Sequence, residues 1–369
     1  MRMVFKLFLS AIFLVSSVQA DEWQFILKNK ILNNEIPLWM IKEVEKDFDP
    51  LSKTGISKSD LEKMIQDNGP NNDFLLVRYE IRNGKILIKY NQGLEDYQRQ
   101  KIVTRALETL AAAITLPNCE FIVSLHDSCA CIGNARDFRG PVLSFAKSVT
   151  DFYSIMIPDF EALGGYSRLL EEVRLANRRF PWRRKTSQAF WRGNSTGGSL
   201  NLHNYFSFPR IQLVALSLKY PEFLDARLMG LVQLEDQAVA ELLTQQGYLG
   251  NFLPTFNHMQ YKYQILVDGN TCAYSRAVWE LFSNSVMFKH ESPNIQWYYN
   301  ELVPFVHYIP VANDFHDLID KIHWAMSHDS ETQQIVKNAN EFAHKNLKHE
   351  DIMLYLYLVI KKYAELQNF

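Results

Sequence analysis

Three stretches of this 369-residue chain bring together residue types that do chemistry. The first, Trp191-Arg192-Gly193-Asn194-Ser195-Thr196-Gly197-Gly198, follows a short apolar strand. Its glycines and small hydroxyl residues let backbone N–H groups approach an anion, and Arg192 offers the bidentate fork that suits phosphate. It is not a Walker loop, because the lysine at the required spacing is missing. An ordinary tight turn, its arginine paired with a surface carboxylate, fits the same residues equally well. The second stretch, Val267-Asp268-Gly269-Asn270-Thr271-Cys272-Ala273-Tyr274-Ser275-Arg276, runs from a strand through a loop into a helix. That geometry aims unpaired N–H groups and the positive end of a helix dipole at the loop, and Arg276 adds a full charge. Two such loops, each with an arginine, suit a diphosphate; alternatively, Asp268 and Ser275 only cap the turn. The third is His126-Asp127 at the end of a buried strand. A carboxylate held there by rigid backbone suits a general base that takes a proton from an alcohol, and it equally suits a turn that caps the next helix.

Weaker patterns accompany these. Asp47-Phe48-Asp49 has the D-x-D spacing with which one class of sugar transferases holds a divalent ion, but it precedes every strand and Pro50 follows, so it reads as a helix end. Asn194-Ser195-Thr196 is an N-glycosylation pattern, and a glycan there would block a loop that grips a ligand. The run from Arg174 to Lys185 gathers five arginines and a lysine around Phe180-Pro181-Trp182, as a linker with aromatic anchors or as a patch that draws an anionic acceptor.

These residues need elements to position them. Trp23 to Lys46 reads as mostly helical, and Ser59-Asp60-Leu61-Glu62 as a capping box opening a helix that Asn68-Gly69-Pro70 stops. Phe74 to Tyr90 is a hairpin about Asn83-Gly84, which tolerates the positive φ angles of a type I′ turn. A helix is expected over about 96–113, ended by Pro117, then a buried strand Phe121 to Leu125 that delivers Asp127. Further apolar strands are expected at Pro141 to Phe145, Ser154 to Ile157, Tyr263 to Val267, Ser285 to Lys289 and Val306 to Pro310. Helices are expected at Ser275 to Phe282, Phe315 to Met326 and Ser330 to Asn346, with one more at the C-terminus. Strand and helix alternate in both halves, which argues for two doubly wound α/β units with a cleft between them, over residues 21–180 and 181–369. The last helix is a candidate to return onto the first unit.

Composition narrows the function. Lys+Arg 39 against Asp+Glu 41 gives a formal charge of −2, which excludes a binder that grips nucleic acid through bulk charge. With 47% hydrophobic and 22% charged residues the chain can bury a large core. Arg2 and Lys6, the apolar Leu7 to Val15 and the small-x-small Val18-Gln19-Ala20 read as a signal peptide over residues 1–20, so the expected location is a periplasm, secretory lumen or extracellular space. No later stretch qualifies as a membrane span, Met353 to Ile360 being too short. Cys119, Cys129, Cys131 and Cys272 lack C-x-x-C spacing, so no structural metal is expected, while a disulfide stays open.

The order Pro181-Trp182 to Lys185, Phe190-Trp191-Arg192-Gly193, Tyr261-Lys262-Tyr263, Asp268-Gly269 and Ser275-Arg276 resembles glycosyltransferase family 90. So does the C-terminal series Trp297-Tyr298-Tyr299, Leu302, Pro304, Val306 to Val311, Asp314 and Leu318, with weaker similarity at Pro158-Asp159-Phe160 and over Glu120 to Asp127. That family holds the Rumi-type protein O-glucosyltransferases, the capsule-associated xylosyltransferases and bacterial lipopolysaccharide-modifying relatives. The resemblance implies a GT-B fold of two Rossmann-like domains facing a cleft, with the acceptor on residues 21–180 and the nucleotide-sugar donor on residues 181–369. It also implies transfer of glucose or xylose, with inversion, from a UDP-sugar to a hydroxyl of a glycan, lipopolysaccharide or protein, with no metal or other cofactor. By the same resemblance Asp127 is the general base, and Arg192, Gly193, Asn194, Ser195, Gly269, Ser275 and Arg276 bind the donor. Ser128-Cys129 departs from the aromatic and proline that Rumi-like members carry there, which leaves a non-catalytic carbohydrate-binding protein with the transferase fold as the alternative.

Overall fold

A computed structural model describes residues 22–67, 72, 74–127 and 140–369. The signal-peptide expectation for residues 1–20 and the two residues after Asp127 lie outside those described. The first helical stretch is two helices, α1 (residues 22–32) and α2 (Leu38–Phe48), because the chain turns at Asn34 with φ 56° and Pro37 stands at the second N-cap. Helix α3 (Lys58–Asp67) opens on a capping box two residues earlier than the sequence suggests. The Ser57 N–H donates to Asp60 Oδ2 at 2.8 Å and the Asp60 N–H to Ser57 Oγ at 3.2 Å.

Strands β1 (Leu76–Arg82) and β2 (Lys85–Tyr90) form the hairpin, with φ of 51° at Asn83 and 73° at Gly84. Helix α4 (Gln98–Ala113) buries Val103, Ala106, Leu107 and Leu110. Then come β3 (Cys119–Ser124), β4 (Val142–Ser144), the short β5 (Lys147–Ser148), β6 (Ser154–Met156), α5 (Phe160–Leu163) and α6 (Ser167–Arg179). The first sheet has the order β2-β1-β3-β4-β6. β3, β4 and β6 are parallel, and the hairpin adds two antiparallel strands at one edge.

The second unit holds β7 (Thr186–Asn194), α7 (Pro209–Lys219), β8 (Leu224–Gly230), α8 (Gln237–Gln245), α9 (Thr255–His258), β9 (Tyr261–Leu266) and α10 (Tyr274–Phe282). It continues through β10 (Val286–His290), β11 (Asn294–Ile295), β12 (Ile309–Val311), α11 (Leu318–Ser327), α12 (Asp329–Asn346) and α13 (His349–Glu365). Its sheet is parallel throughout, in the order β12-β10-β9-β7-β8. From β7 the chain winds first to one side, to β8, and then crosses to the other, to β9. The strand order therefore reverses between β7 and β9, and ligands in such sheets sit outside the carboxyl ends of the strands at that reversal. Those two ends carry the loops after Asn194 and after Leu266.

The halves are tied together. Strands β5 and β11, one from each, pair antiparallel. Helix α13 leaves the second unit and packs on α2 and β3 of the first, where the Tyr363 hydroxyl donates to the Pro141 carbonyl at 2.7 Å. One core cluster runs from the first sheet into α13, α10 and Trp297-Tyr298-Tyr299, and a second fills the parallel sheet. Asp47, half of the D-x-D pattern, is buried: Lys147 Nζ donates to one carboxylate oxygen at 2.5 Å and the Met156 N–H to the other at 2.7 Å, fixing α2 to β5 and β6. Among the described residues no helix is long and apolar enough to cross a membrane.

The basic run is helix α6 followed by an anchored turn. Trp182 Nε1 donates to Asp329 Oδ1 at 2.9 Å, and Lys185 is buried, its ammonium donating to the Met259 carbonyl and, at 3.0 Å, to Ser285 Oγ. Burial pushes the Lys185 pKa down to about 7. The unfolded chain then holds a proton that the native state has lost between about pH 7 and pH 10. Stability is therefore expected to rise with pH across that window, and Lys185→Met should flatten the rise, as read from unfolding midpoints at pH 7, 8.5 and 10.

Candidate active site

A cavity of about 370 Å³ opens between the units at the reversal point of the second sheet. The first unit contributes Asp127 beyond β3 and Glu161 on α5; the second contributes Thr196, Arg210 and the loop from Gly269 into α10, with Ser275 and Arg276. Four of the residues singled out from the sequence, Asp127, Gly269, Ser275 and Arg276, thus line one space.

Asp127 is held from both sides. Arg99 Nη2 donates to Oδ1 at 2.6 Å while Arg99 Nη1 holds the Leu125 carbonyl at 2.8 Å, and the guanidinium lies 4.1 Å over the Phe160 ring. From the second unit, Asn270 Nδ2 donates to Oδ2 at 3.0 Å and the Tyr274 hydroxyl donates to the Asp127 carbonyl. The carboxylate is about a quarter exposed, enough for a substrate hydroxyl to reach it.

Two arginines supply the positive wall. Arg276, in the first turn of α10, is partly buried, with about a fifth of its side chain exposed. Its Nη2 donates to the Arg192 carbonyl at 2.6 Å, and Nη1 lies 3.7 Å from buried Glu280 with no hydrogen bond among the described residues. An unspent, desolvated N–H of this kind fits an anionic ligand. Burial lowers the Arg276 pKa and pushes Glu280 up to about 8, despite the arginine beside it. Burial and then the charge of Arg276 push His258 down to about 3, so that imidazole is neutral. Arg210, in the first turn of α7, clasps both loops: Nη1 donates to the Asn194 carbonyl at 2.9 Å and Thr196 Oγ1 at 2.6 Å, and Nε to the Asp268 carbonyl at 2.8 Å. Burial, with Arg276 nearby, pushes its pKa down to about 10, so it stays charged. Gly269 permits this closure, since a Cβ there would meet Thr196 Oγ1 at 2.4 Å and Arg210 Nη2 at 2.8 Å. Opposite them, Glu161 Oε2 accepts the Ser275 N–H at 3.0 Å, so a carboxylate of the first unit sits at the start of α10.

The first loop takes the second of its two readings, the turn whose arginine pairs with a carboxylate, rather than the donor contact that the resemblance implies. Arg192 is outside the cavity lining: its guanidinium pairs with Asp225 on the neighbouring strand at 2.9 Å, donates to two carbonyls and lies 4.4 Å over Phe190. Strand alternation sends it to the face shared with Phe190, where Asp225 is closest. Ser195 is buried, exchanging hydrogen bonds of 2.8 Å with the backbone of Val232. Gly193 admits the Trp191 ring, which a Cβ would approach to 2.5 Å. Asn194 offers its carbonyl to Arg210, leaving Thr196 as that loop's contribution to the cavity. Sequence reasoning missed Arg210, Glu161 and Arg99, and it placed Asn270 in the second stretch without a role of its own. One signal for Arg210 was present: a cation directly after Pro209 in a first helical turn opposes the helix dipole, as Arg276 does, and such a placement needs an anion or carbonyls to offset it.

The profile of glycosyl transferase family 90 matches residues 37–369. Protein O-glucosyltransferase 2 of Danio rerio is 32% identical over 301 residues, 79% of this chain and 56% of the relative. Protein O-glucosyltransferase 3 of Rattus norvegicus is 32% identical over 302 residues, 79% of this chain and 55% of the relative. Protein O-glucosyltransferase 1 of Homo sapiens is 23% identical over 269 residues, 69% and 64% of the two chains. The chain thus spans little more than half the length of the first two.

Proposed function

From the premise that this chain belongs to glycosyl transferase family 90, we propose that it is an inverting transferase moving glucose or xylose from a UDP-sugar to a hydroxyl of a glycan, lipopolysaccharide or protein. The observation that carries the reading is the shared cavity, with the carboxylate of Asp127 from one unit and the guanidinium groups of Arg210 and Arg276 from the other. The relatives' names, all protein O-glucosyltransferases, support glucose as the first sugar to try.

In this mechanism the acceptor oxygen attacks the anomeric carbon as Asp127 takes its proton. The bond from that carbon to the β-phosphate oxygen breaks on the opposite face, and the electron pair goes onto the leaving UDP. Arg276, held by the Arg192 carbonyl, meets the developing charge together with Arg210 and backbone N–H groups of the two loops. Those fixed charges take the part a divalent ion plays in other transferases, so the reading is metal-independent.

Titrating the protein with UDP-glucose, UDP-xylose and other nucleotide sugars tests this. At 100 times the dissociation constant, the cognate donor should stabilise the fold by about 2.7 kcal/mol. It should also be hydrolysed slowly without acceptor, with the rate unchanged by a chelator. A donor that stabilises but is neither hydrolysed nor transferred would leave a carbohydrate-binding protein instead, and no stabilisation by any nucleotide sugar would end the proposal.

A further inference from the structure

Asn270 stands where three parts of the site meet. Its Nδ2 donates to Asp127 Oδ2 at 3.0 Å, across the cleft, and its Oδ1 accepts the Gly197 N–H at 3.1 Å from the first donor-side loop. The residue itself sits in the second loop, next to Gly269 and four residues before α10. A primary amide has one donating and one accepting end. The carboxylate of Asp127 takes only donors and the Gly197 N–H takes only an acceptor, so the two partners together fix which way the amide points. Neither Asp nor an aliphatic residue of similar size can serve both.

We infer that Asn270 is a positioning residue that couples the two donor loops to the general base, orienting Asp127 when those loops close on a donor. The inference rests on the reading of Asp127 as base and deepens it. Arg99 fixes Oδ1 from within the first unit, while Asn270 fixes Oδ2 from the second. Each carboxylate oxygen has two acceptor directions, so both contacts leave room for the substrate hydroxyl. The orientation of the base thereby depends on where the second unit's loops stand. A movement of Gly197 or Gly269 on binding a diphosphate reaches Asp127 through one side chain. The Tyr274 hydroxyl on the Asp127 carbonyl and Glu161 on the Ser275 N–H are the neighbouring contacts across the same gap.

The test uses Asn270→Ala and Asn270→Asp in the full chain. Misplacement of a reacting group by about 1 Å costs on the order of 100-fold in rate, so N270A should lose about 10- to 100-fold in kcat for transfer. Its affinity for UDP and its KM for acceptor should stay within about threefold, a shift of less than about 0.7 kcal/mol. N270D keeps the acceptor for Gly197 but sets a like charge beside Asp127, and its kcat should fall at least as far. Normal kcat in either variant, or a loss of UDP affinity in N270A as large as its loss of kcat, would overturn the coupling. Thermal unfolding of N270A, D127A and the double variant reads the contact without any assay of activity: the losses in midpoint should fail to add. Additive losses would also overturn the inference. Non-additive losses in a protein that transfers no sugar would mean that the contact stands and the catalytic reading has failed.

Discussion

Asp127→Asn is expected to lower transfer by about 10²- to 10⁴-fold, the usual contribution of a placed general base. Binding of UDP should stay within about threefold, because no diphosphate contact is removed. The substitution keeps the size of the side chain and the room around it, so a fall beyond that of Asn270→Ala is read as loss of the proton acceptor. The surroundings make the outcome sharper. Both oxygens of Asp127 receive donors, Arg99 on one and Asn270 on the other. An amide at position 127 can satisfy only one of them with its oxygen, and the charged Arg99 at 2.6 Å has the stronger claim. Its NH₂ then faces the Nδ2 of Asn270, donor against donor. That contact is broken even though the pocket is otherwise unchanged. Initial rates with a saturating donor, compared with those of Asn270→Ala, separate the two effects, and calorimetry with UDP checks that donor binding is kept. Turnover near the wild-type rate would remove Asp127 from the mechanism.

The placement of Asp127 and of the second loop was legible in the sequence for a local reason. A short apolar strand that ends in a polar pair, and a strand running through glycine into a helix, each place their residues by chain geometry alone. The parallel alternation of the second half was legible likewise. What the sequence did not disclose depends on partners far apart in the chain. Arg192 and Arg276 look alike as arginines at strand and helix ends, yet Asp225 on the adjacent strand captures one and Glu280, one helical turn on, sets the other at the cavity wall. Arg210 is separated from the loops it clasps by up to 58 residues, and Asn270 lies 143 residues from Asp127. Spacing rules work over a turn or a strand; contacts of this range are fixed only by which strands become neighbours. The same holds for the N-terminal helices, where an asparagine at positive φ and a proline split a stretch whose composition is helical throughout.

Arg276→Ala should lower kcat by about 10²- to 10³-fold, the cost of removing one fixed donor from a developing anion. UDP affinity should fall as well, since the buried Nη1 has no other hydrogen-bond partner among the described residues. Loss of folding would confound this result, and Glu280 decides whether it occurs. Its carboxyl is pushed up to about 8 by burial even with Arg276 beside it, and without the arginine it is pushed further. At pH 7 the variant therefore buries a neutral acid rather than an unpaired charge. A carboxyl whose native pKa lies above its unfolded one makes stability fall as pH rises through that interval. The variant should consequently fold at pH 6 to 7 and show a lower unfolding midpoint at pH 9. Lysine at 276 should not restore the rate, because one ammonium cannot hold the Arg192 carbonyl, Glu280 and an anion in the planar arrangement of a guanidinium. Arg192→Ala gives the contrast. It removes the pair with Asp225, two hydrogen bonds to carbonyls and the contact with Phe190, so some stability is lost, but it leaves in place the backbone carbonyl that holds Arg276. UDP affinity in that variant should change by less than about fivefold. If the two variants instead lose donor affinity equally, the anion is shared between both arginines and the face of β7 that carries Arg192 turns toward the ligand when it binds.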